Sequence, residues 1–497
     1  MEIVVNSDSI WMDSRKKSLR LSAAAERCGG IAAKGLLLML ALEAPAHAVD
    51  AVTWGDGNKV EIYGRVQLAY ELLRTGRTYA TEGGSGDSCS TCNSSLPLNG
   101  GGAATLSAGW NSPFISQDQP AHDRLRNQRS VLGFRGDIRI DSDLKGVWQL
   151  ESSAAADGGG GLHVPAQTWA NRDSGVGLDS KRWGRVMLGS WSTPYTYSTI
   201  GFDPYYTNTG AYMSIMGNGS GASMDALSDN ATFDRREHNL VQYWSPDLNG
   251  LRFRLAYEAG EVKTGSGSFN YPGGGGNNGA PIASCPNLTT ASSSGYGGAD
   301  YIDPNPAGPG ILDSGRTYTR CTGRNPHLVS SEATYEQGPL LMVAAYEAHI
   351  GFNSDGTDSG MKLGVAYTPQ PSTRLTAVVQ RLDYKVFDGD LRQNQAYFSA
   401  VQKLDEKDSL KVGISAGGRV QGSSHVIVGY LRAGPKSGSQ QLTIGPEHQF
   451  NKNFAAWAYY SKIRNEANAF MDFAINDTTP ATGSSPSVIA VGLRATW

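Results

Sequence analysis

Ser487-Val488-Ile489-Ala490-Val491-Gly492-Leu493-Arg494-Ala495-Thr496-Trp497 closes the chain. Counted back from the end, Trp497, Ala495, Leu493, Val491 and Ile489 share one face. Thr496, Arg494, Gly492, Ala490 and Val488 share the other. A period of two marks a β-strand. One face is apolar and ends in an aromatic residue; the other carries an arginine. Against lipid near the bilayer midplane that arginine costs about 2–4 kcal/mol, whereas a water-filled lumen accepts it. Residues 60–73 repeat the pattern. Val60, Ile62, Gly64, Val66, Leu68 and Tyr70 form one face, and Glu61, Tyr63, Arg65, Gln67 and Glu71 the other. A soluble β-sandwich shows the same alternation with its apolar face inward, so periodicity alone leaves both fold classes open.

The connections separate them. Strand-like segments are predicted at 60–73, 129–138, 144–153, 166–178, 184–191, 238–246, 251–260, 328–337, 340–350, 361–368, 373–384, 392–403, 409–416, 425–432, 441–449, 454–463 and 487–497. Short turns such as Ile140-Asp141-Ser142-Asp143, Pro369-Gln370-Pro371-Ser372 and Asp405-Glu406-Lys407-Asp408 alternate with long loops, notably 74–128, 192–237, 261–327 and 465–486. Short periplasmic turns and long external loops belong to a transmembrane barrel. With both chain ends on one side, the strand number is even. Seventeen segments are therefore one too many, and 425–432, which breaks the short/long rhythm, is assigned to a loop. The expected fold is all-β: a transmembrane antiparallel β-barrel of 16 strands, with 18 as the second choice.

The N-terminus is of a different kind. Arg15, Lys16, Lys17, Arg20, Arg27 and Lys34 precede a short apolar run, 35–42, and then Ala46-His47-Ala48. This is the pattern of a cleaved secretory signal peptide over residues 1–48, too short in its apolar part to span a bilayer. Translation starting at Met12 would shorten the long basic region. Removing 1–48 takes away six basic and five acidic residues and leaves 37 against 41. A near-neutral chain argues against a nucleic-acid partner. Apolar residues make up 39% of the chain, below the about 45–50% of soluble domains, as befits strands greasy on one face only. Beyond the signal, Cys89, Cys92, Cys285 and Cys321 lie in Gly/Ser/Asn-rich loops. Export to an oxidising compartment favours two loop disulfides, Cys89–Cys92 and Cys285–Cys321, out of three possible pairings.

Four segments resemble the general porins of Gram-negative bacteria, β-proteobacterial ones most closely. They are Val60-Glu61-Ile62-Tyr63-Gly64-Arg65; Ser130-Val131-Leu132-Gly133-Phe134-Arg135-Gly136 with 144–152; Asn171-Arg172-Asp173-Ser174-Gly175-Val176-Gly177-Leu178 with 183–190; and Tyr243-Trp244-Ser245-Pro246-Asp247-Leu248-Asn249-Gly250-Leu251. Order and spacing fit across roughly 58–262. The resemblance implies a homotrimer of 16-stranded barrels in the outer membrane, each a diffusion pore. It implies outer-membrane lipids as surroundings and assembly through the C-terminal strand, with Trp497 as the signal read by the barrel-assembly machinery. It also implies that the loop 192–237 folds into the lumen as a constriction, with wall cations facing loop carboxylates.

By position in the motifs, the basic wall falls to Arg65, Arg172 and Arg236, with Arg235 as the second choice for the last. Val131 replaces the second-strand arginine, and Arg129 or Arg135 stands in for it. Glu151 matches an inward carboxylate. Asp203, Asp225, Asp229 and Asp234 are the acidic candidates by loop membership. If Arg172 points inward on a strand, Asp173 points outward.

Other classes find little footing. The eight histidines show no metal or H-E-x-x-H spacing. No enzyme, cofactor or metal site is expected. The alternatives are a channel specific for sugars or organic acids, because loop residues Tyr195, Tyr197, Phe202, Tyr205, Tyr206 and Tyr212 offer stacking surfaces, and a secreted or surface β-rich binding protein.

Overall fold

The computed structural model describes residues 52–54, 58–79, 116–119, 121–157, 169–219, 232–259, 327–352, 356–386, 389–424, 428–475, 478 and 480–497. The signal peptide, the cysteines, and Asp225 and Asp229 lie outside the described residues.

Sixteen antiparallel strands close on themselves. They are β1 (Asn58–Arg74), β2 (His122–Asn127 continuing as Val131–Arg139), β3 (Leu144–Ser153), β4 (Ser174–Ser180), β5 (Gly184–Ser192), β6 (Arg236–Trp244), β7 (Leu251–Glu258), β8 (His327–Gln337), β9 (Leu340–Ile350), β10 (Thr357–Gln370), β11 (Thr373–Val386), β12 (Gly389–Lys403), β13 (Asp408–Gly417), β14 (Ser439–Asn451), β15 (Phe454–Asn465) and β16 (Ser487–Thr496). Each pairs with its sequence neighbour. Closure comes from β1 against β16, with Arg65 opposite Thr496 and Arg74 opposite Ser487. Beyond the strand, Gly64 and Trp497 exchange two backbone hydrogen bonds at 3.1 Å. The Trp497 ring lies against Gly64, where an added Cβ would come within 2.4 Å of it, so glycine is needed for the close approach.

The burial pattern settles which way the faces point. Lys362 is 1% exposed, whereas its neighbour Leu363 is 60% exposed. Ile489, Val491 and Leu493 are likewise exposed while Val488 and Ala490 are buried. A soluble sandwich does the reverse. Apolar side chains therefore form an outer belt, and polar ones line the interior, where loop residues pack against part of the wall. Tyr70, Tyr257 and Tyr346 edge the belt toward the long loops. Trp183, Tyr367, Phe450 and Phe454 edge it toward the short turns, as aromatic girdles do at bilayer interfaces.

The short turns are built on side-chain caps. Asp141 Oδ1 accepts the N–H groups of Asp143 and Leu144 at 2.7 and 2.8 Å, and Asp405 Oδ1 does the same for Lys407 and Asp408. An aspartate that bonds the backbone two residues on imitates a backbone turn. In the β6–β7 turn, Asn249 (φ 59°) and Gly250 (φ 89°) both take left-handed conformations, which these residue types tolerate.

Two expectations need correction. The segment 122–127 is wall strand, not loop. Residues 166–178 do not form one strand: β4 begins at Ser174, after a turn at 169–173. The loop after β5 contains a helix, α1 (Pro194–Ile200), capped by Thr193 with proline at its start. Of the segment 425–432, expected to be loop, the described residues 428–432 lie outside the barrel strands and are held by a Val428–Leu431 bridge.

Candidate functional site

The interior is organised by the loop that leaves β5. It lies against the inner wall and is bonded along its whole described length. Tyr195 N donates to Ser330 Oγ on β8 at 3.0 Å. Thr376 and Ser399, on β11 and β12, both donate to Phe202 O. Tyr205 OH donates to Lys411 O on β13 at 2.7 Å. Gly210 O accepts from Thr443 and Gln441 on β14, and an added Cβ at Gly210 would meet Thr443 at 2.8 Å and Tyr459 at 3.1 Å. Thr209 N donates to Gln128 at 2.8 Å. Polar strand residues that would be wet in an empty barrel are thus spent on backbone groups of the loop.

Two further loops cover it from the long-loop side. Ala474 N donates to Ser214 Oγ at 3.2 Å. Phe470, Met471 and Phe473 join Ile215, Val428, Leu431 and Tyr430 in one apolar cluster, and Asn218 bonds Val428 O and Tyr430 N at 2.9 and 2.8 Å. Beside β11–β15 the described loop residues pack against the wall and against one another.

The cations gather beside β1–β4 and β16. Residues 128–130 bulge between the halves of β2, where Leu68 faces Asn127 but Arg65 faces Val131. Arg129, with φ 56°, sits at the bulge. Arg65 Nη2 donates to Arg129 O at 2.7 Å, and the Arg129 guanidinium lies 5.5 Å from the Tyr206 ring of the loop. Arg172 Nε donates to Glu151 Oε1 at 2.7 Å, and Tyr63 OH to Oε2 at 3.0 Å. Arg65 lies within the electrostatic reach of Arg172, Arg129 and Arg494. Arg494 on β16 shares Glu447 with Lys411, at 3.1 and 3.0 Å. Arg494, Lys411 and Glu447 were missed as site residues, although strand parity already pointed Arg494 inward.

Other candidates are placed elsewhere. Arg236 is 1% exposed, and its Nε donates to Asp173 Oδ1 at 2.8 Å. Asp173 does not point outward. It precedes β4, so strand alternation does not apply, and it accepts Ser192 N and Oγ at 2.9 Å and Tyr197 OH at 2.6 Å. This cluster fastens both ends of the loop, because Thr193 N also donates to Arg235 O. Arg235 pairs with Glu237, and Arg135 pairs with Glu61 at 2.9 Å. Asp203 accepts from Tyr205 N, Tyr212 N and Tyr397 OH at 2.8–2.9 Å. Asp234 pairs with Lys362 beneath α1. Both loop carboxylates are buried in packing.

The two loop carboxyls and Asp173 shift in opposite directions. Burial pushes the Asp203 carboxyl up to about 6 against its three donors, and the Asp234 carboxyl up to about 6 against the pull of Lys362. Burial would raise Asp173 as well, but Arg236 and the Tyr197 hydroxyl outweigh it and hold that carboxyl below 3.8. A raised carboxyl binds its proton more tightly folded than unfolded. Its contribution is present below about pH 4 and lost as pH rises through about 6; a lowered one is present above about 4 and lost on acidification. The gel-shift melting temperature of the folded protein is expected to peak at about pH 4, to fall as pH rises to about 6 and to level off above that. A steady rise to pH 8 would contradict these assignments.

A model of the Gram-negative porin family matches residues 35–468. The chain belongs to that family. Among curated relatives, the major outer membrane protein P.IA of Neisseria meningitidis serogroup C is 30% identical over 149 residues, 28% of this chain and 33% of that protein. The serogroup B protein is 24% identical over 198 residues, 39% of this chain and 40% of that one. The chain thus spans about a third to two fifths of the length of these porin relatives. Among solved structures, the anion-selective porin from Comamonas acidovorans superposes with a TM-score of 0.57 at 16% identity, covering 88% of this chain and 100% of that one. OmpT of Vibrio cholerae gives 0.51 at 11%, covering 89% and 99%. These likenesses bear out the 16-stranded porin fold and place the chain in the bacterial outer membrane. Porins are channels rather than enzymes.

Proposed function

We propose that this porin is a water-filled outer-membrane channel for passive diffusion of small hydrophilic solutes, with a preference for anions. One observation carries the preference. In the described lumen five cations, Arg65, Arg129, Arg172, Arg494 and Lys411, gather around Glu151 and Glu447, while Asp173, Asp203 and Asp234, which also lie among the cations, are bonded into the packing of the loop. A surplus of fixed cations at a constriction raises the local anion concentration. The Comamonas barrel of the same fold is itself anion-selective. In this reading Arg65, Arg129 and Arg172 form the basic wall, Glu151 orients Arg172, and Arg236 anchors the loop.

A channel specific for sugars or aromatic acids is less well supported. Tyr195, Phe202, Tyr205 and Tyr212 are at most 4% exposed, spent on packing the loop. Tyr197 is bonded to Asp173.

The same proposal takes the assembly to be a homotrimer contacting through β1–β5. On the outer face there, Gly64, Gly136 and Gly146 alternate with Phe134, Trp148 and Trp169, a low relief suited to close contact between barrels. Trp497, locked to Gly64, acts as the assembly signal.

Planar-bilayer recording of the folded protein across a potassium chloride gradient tests the reading. A reversal potential of anion sign and conductance steps in threes are expected. Absence of conductance would overturn the channel, and a cation sign the preference.

A further inference from the structure

One lysine of the inner wall has no part in the channel as proposed. Lys362 of β10 lies beneath α1 in contact with Asp234, and Lys362, Asp234 and Glu347 are each at most 1% exposed. Asp234 follows Phe233 at the end of the loop that leaves β5 and takes a left-handed backbone, with φ 61°, which aspartate tolerates better than most residues. Gly360 makes room for it. The Phe233 ring occupies the space that a side chain there would fill, and an added Cβ would meet it at 2.7 Å. Asp234 then comes down on Lys362, two residues along the same inward face. Asp234 Oδ1 accepts from Lys362 Nζ, and Oδ2 makes no hydrogen bond. Nζ also donates to Thr199 Oγ1 at 3.0 Å and Tyr195 O at 3.2 Å, and lies 4.0 Å from the centre of the Tyr195 ring. These contacts hold the nitrogen against the carboxyl.

Aromatic rings enclose the pair. Phe233 stacks on His349 at 4.2 Å, meets Tyr384 edge-on at 5.6 Å and lies 5.8 Å from Tyr195. Glu347 of β9 sits opposite Gly360 in register, so it is a diagonal neighbour of Lys362 on the inward face, within reach of long side chains. Its charge acts on both Asp234 and Lys362. His349 Nε2 lies 2.9 Å from Glu347 Oε1, and Oε2 makes no hydrogen bond. Glu332, the other carboxylate that acts on Lys362, is taken by Arg254 at 3.1 Å. In water an ammonium and a carboxylate do not condense, because both are ionised. Burial favours the neutral forms: one proton passes from Nζ to Asp234 and leaves an amine against a carboxylic acid.

We propose that Lys362 and Asp234 join in an amide bond between Nζ and Cγ, which staples the end of the loop to β10. The Nζ lone pair attacks Cγ. Glu347 takes one proton from the nitrogen as the N–C bond forms and passes it to the Asp234 hydroxyl. That hydroxyl leaves as water while the C=O double bond is restored, and Glu347 ends as it began. A joined pair no longer titrates, so the pH dependence of melting then falls to Asp203 and Asp173. The proposal rests on the fold and not on the channel's selectivity.

The test is the mass of the folded full chain extracted from the outer membrane, measured after unfolding and reduction of its cysteines. The parent is expected to weigh one water less than its sequence. A tryptic digest should contain the peptide ending at Arg235 joined to the one spanning Lys362. Lys362→Arg keeps the charge and lacks the nucleophile. It should have its full sequence mass and, once boiled, run on a gel behind the parent, whose chain retains a closed loop from Asp234 to Lys362. Glu347→Gln should fold with the pair unjoined. Full sequence mass in the folded parent overturns the proposal even if both variants fail to fold. A folded Glu347→Gln joined as completely as the parent overturns the proton path through Glu347.

Discussion

Arg236→Ala is expected to lower the stability of the folded barrel by about 3–5 kcal/mol, the usual cost of removing one partner of a buried ion pair. The reason is the charge left behind. Asp173 would keep its hydrogen bonds from Ser192 and Tyr197 but lose the guanidinium that offsets its burial. The variant should show this as a lower temperature for the shift between compact and unfolded bands on a gel. A second readout separates loop anchoring from general damage. Because the Arg236–Asp173 pair joins the start of β6 to the turn before β4, with Ser192 between them, its loss frees the loop at both ends. Single-channel conductance should become larger and noisier. Asp173→Asn should do the same, and the two substitutions together should cost less than their sum, since contacting residues couple. Wild-type melting and quiet conductance in Arg236→Ala would remove it from the anchor.

The barrel was largely legible in the sequence because a period of two is a strong local signal. The segments 144–153 and 340–350 are predicted with the bounds that the structure gives β3 and β9. Local signals failed where the chain departs from alternation. The bulge at Gln128-Arg129-Ser130 breaks the pattern, so a period of two hides the first half of β2. The turn at 169–173 hides from a reading that extends β4 backward, and this misdirected Asp173. Helix α1, at seven residues, is too short to show its period. The site was legible in its cations and not in its acids. Arg65 and Arg172 sit in recognisable strand motifs. A loop carboxylate carries no mark of whether it faces water or packing: Asp203 is taken up by two backbone N–H groups and Tyr397, and Asp234 by Lys362. Lys411 and Glu447 lie in unremarkable strands, and only their convergence with Arg494 gives them a role.

Selectivity should respond most to Arg65 and Arg172. At about 10 Å a unit charge acts on a passing ion with about 0.4 kcal/mol in bulk water and about 1.7 kcal/mol at an effective dielectric constant near 20. Reversing one charge removes a cation and adds an anion, so the effect doubles to about 0.8–3.3 kcal/mol, or at least about fourfold in relative permeability. Salt near 0.1 M screens the far part of this field, with a Debye length of about 10 Å, and leaves the near part. Arg172→Glu places a carboxylate beside Glu151, which then loses its guanidinium, so repulsion should push both toward the lumen. Arg65→Glu acts in the field of Arg129, Arg172 and Arg494, which partly neutralise it. The single reversal at Arg172 should therefore shift the reversal potential further toward cations than the one at Arg65, and the double reversal should change its sign. Arg236→Gln, buried outside the ion path, should leave the potential where it was if the loop stays seated. An unchanged potential in Arg172→Glu, with conductance intact, would show that ions do not pass beside Glu151, and the basic wall would have to be sought around Lys411 and Arg494 instead.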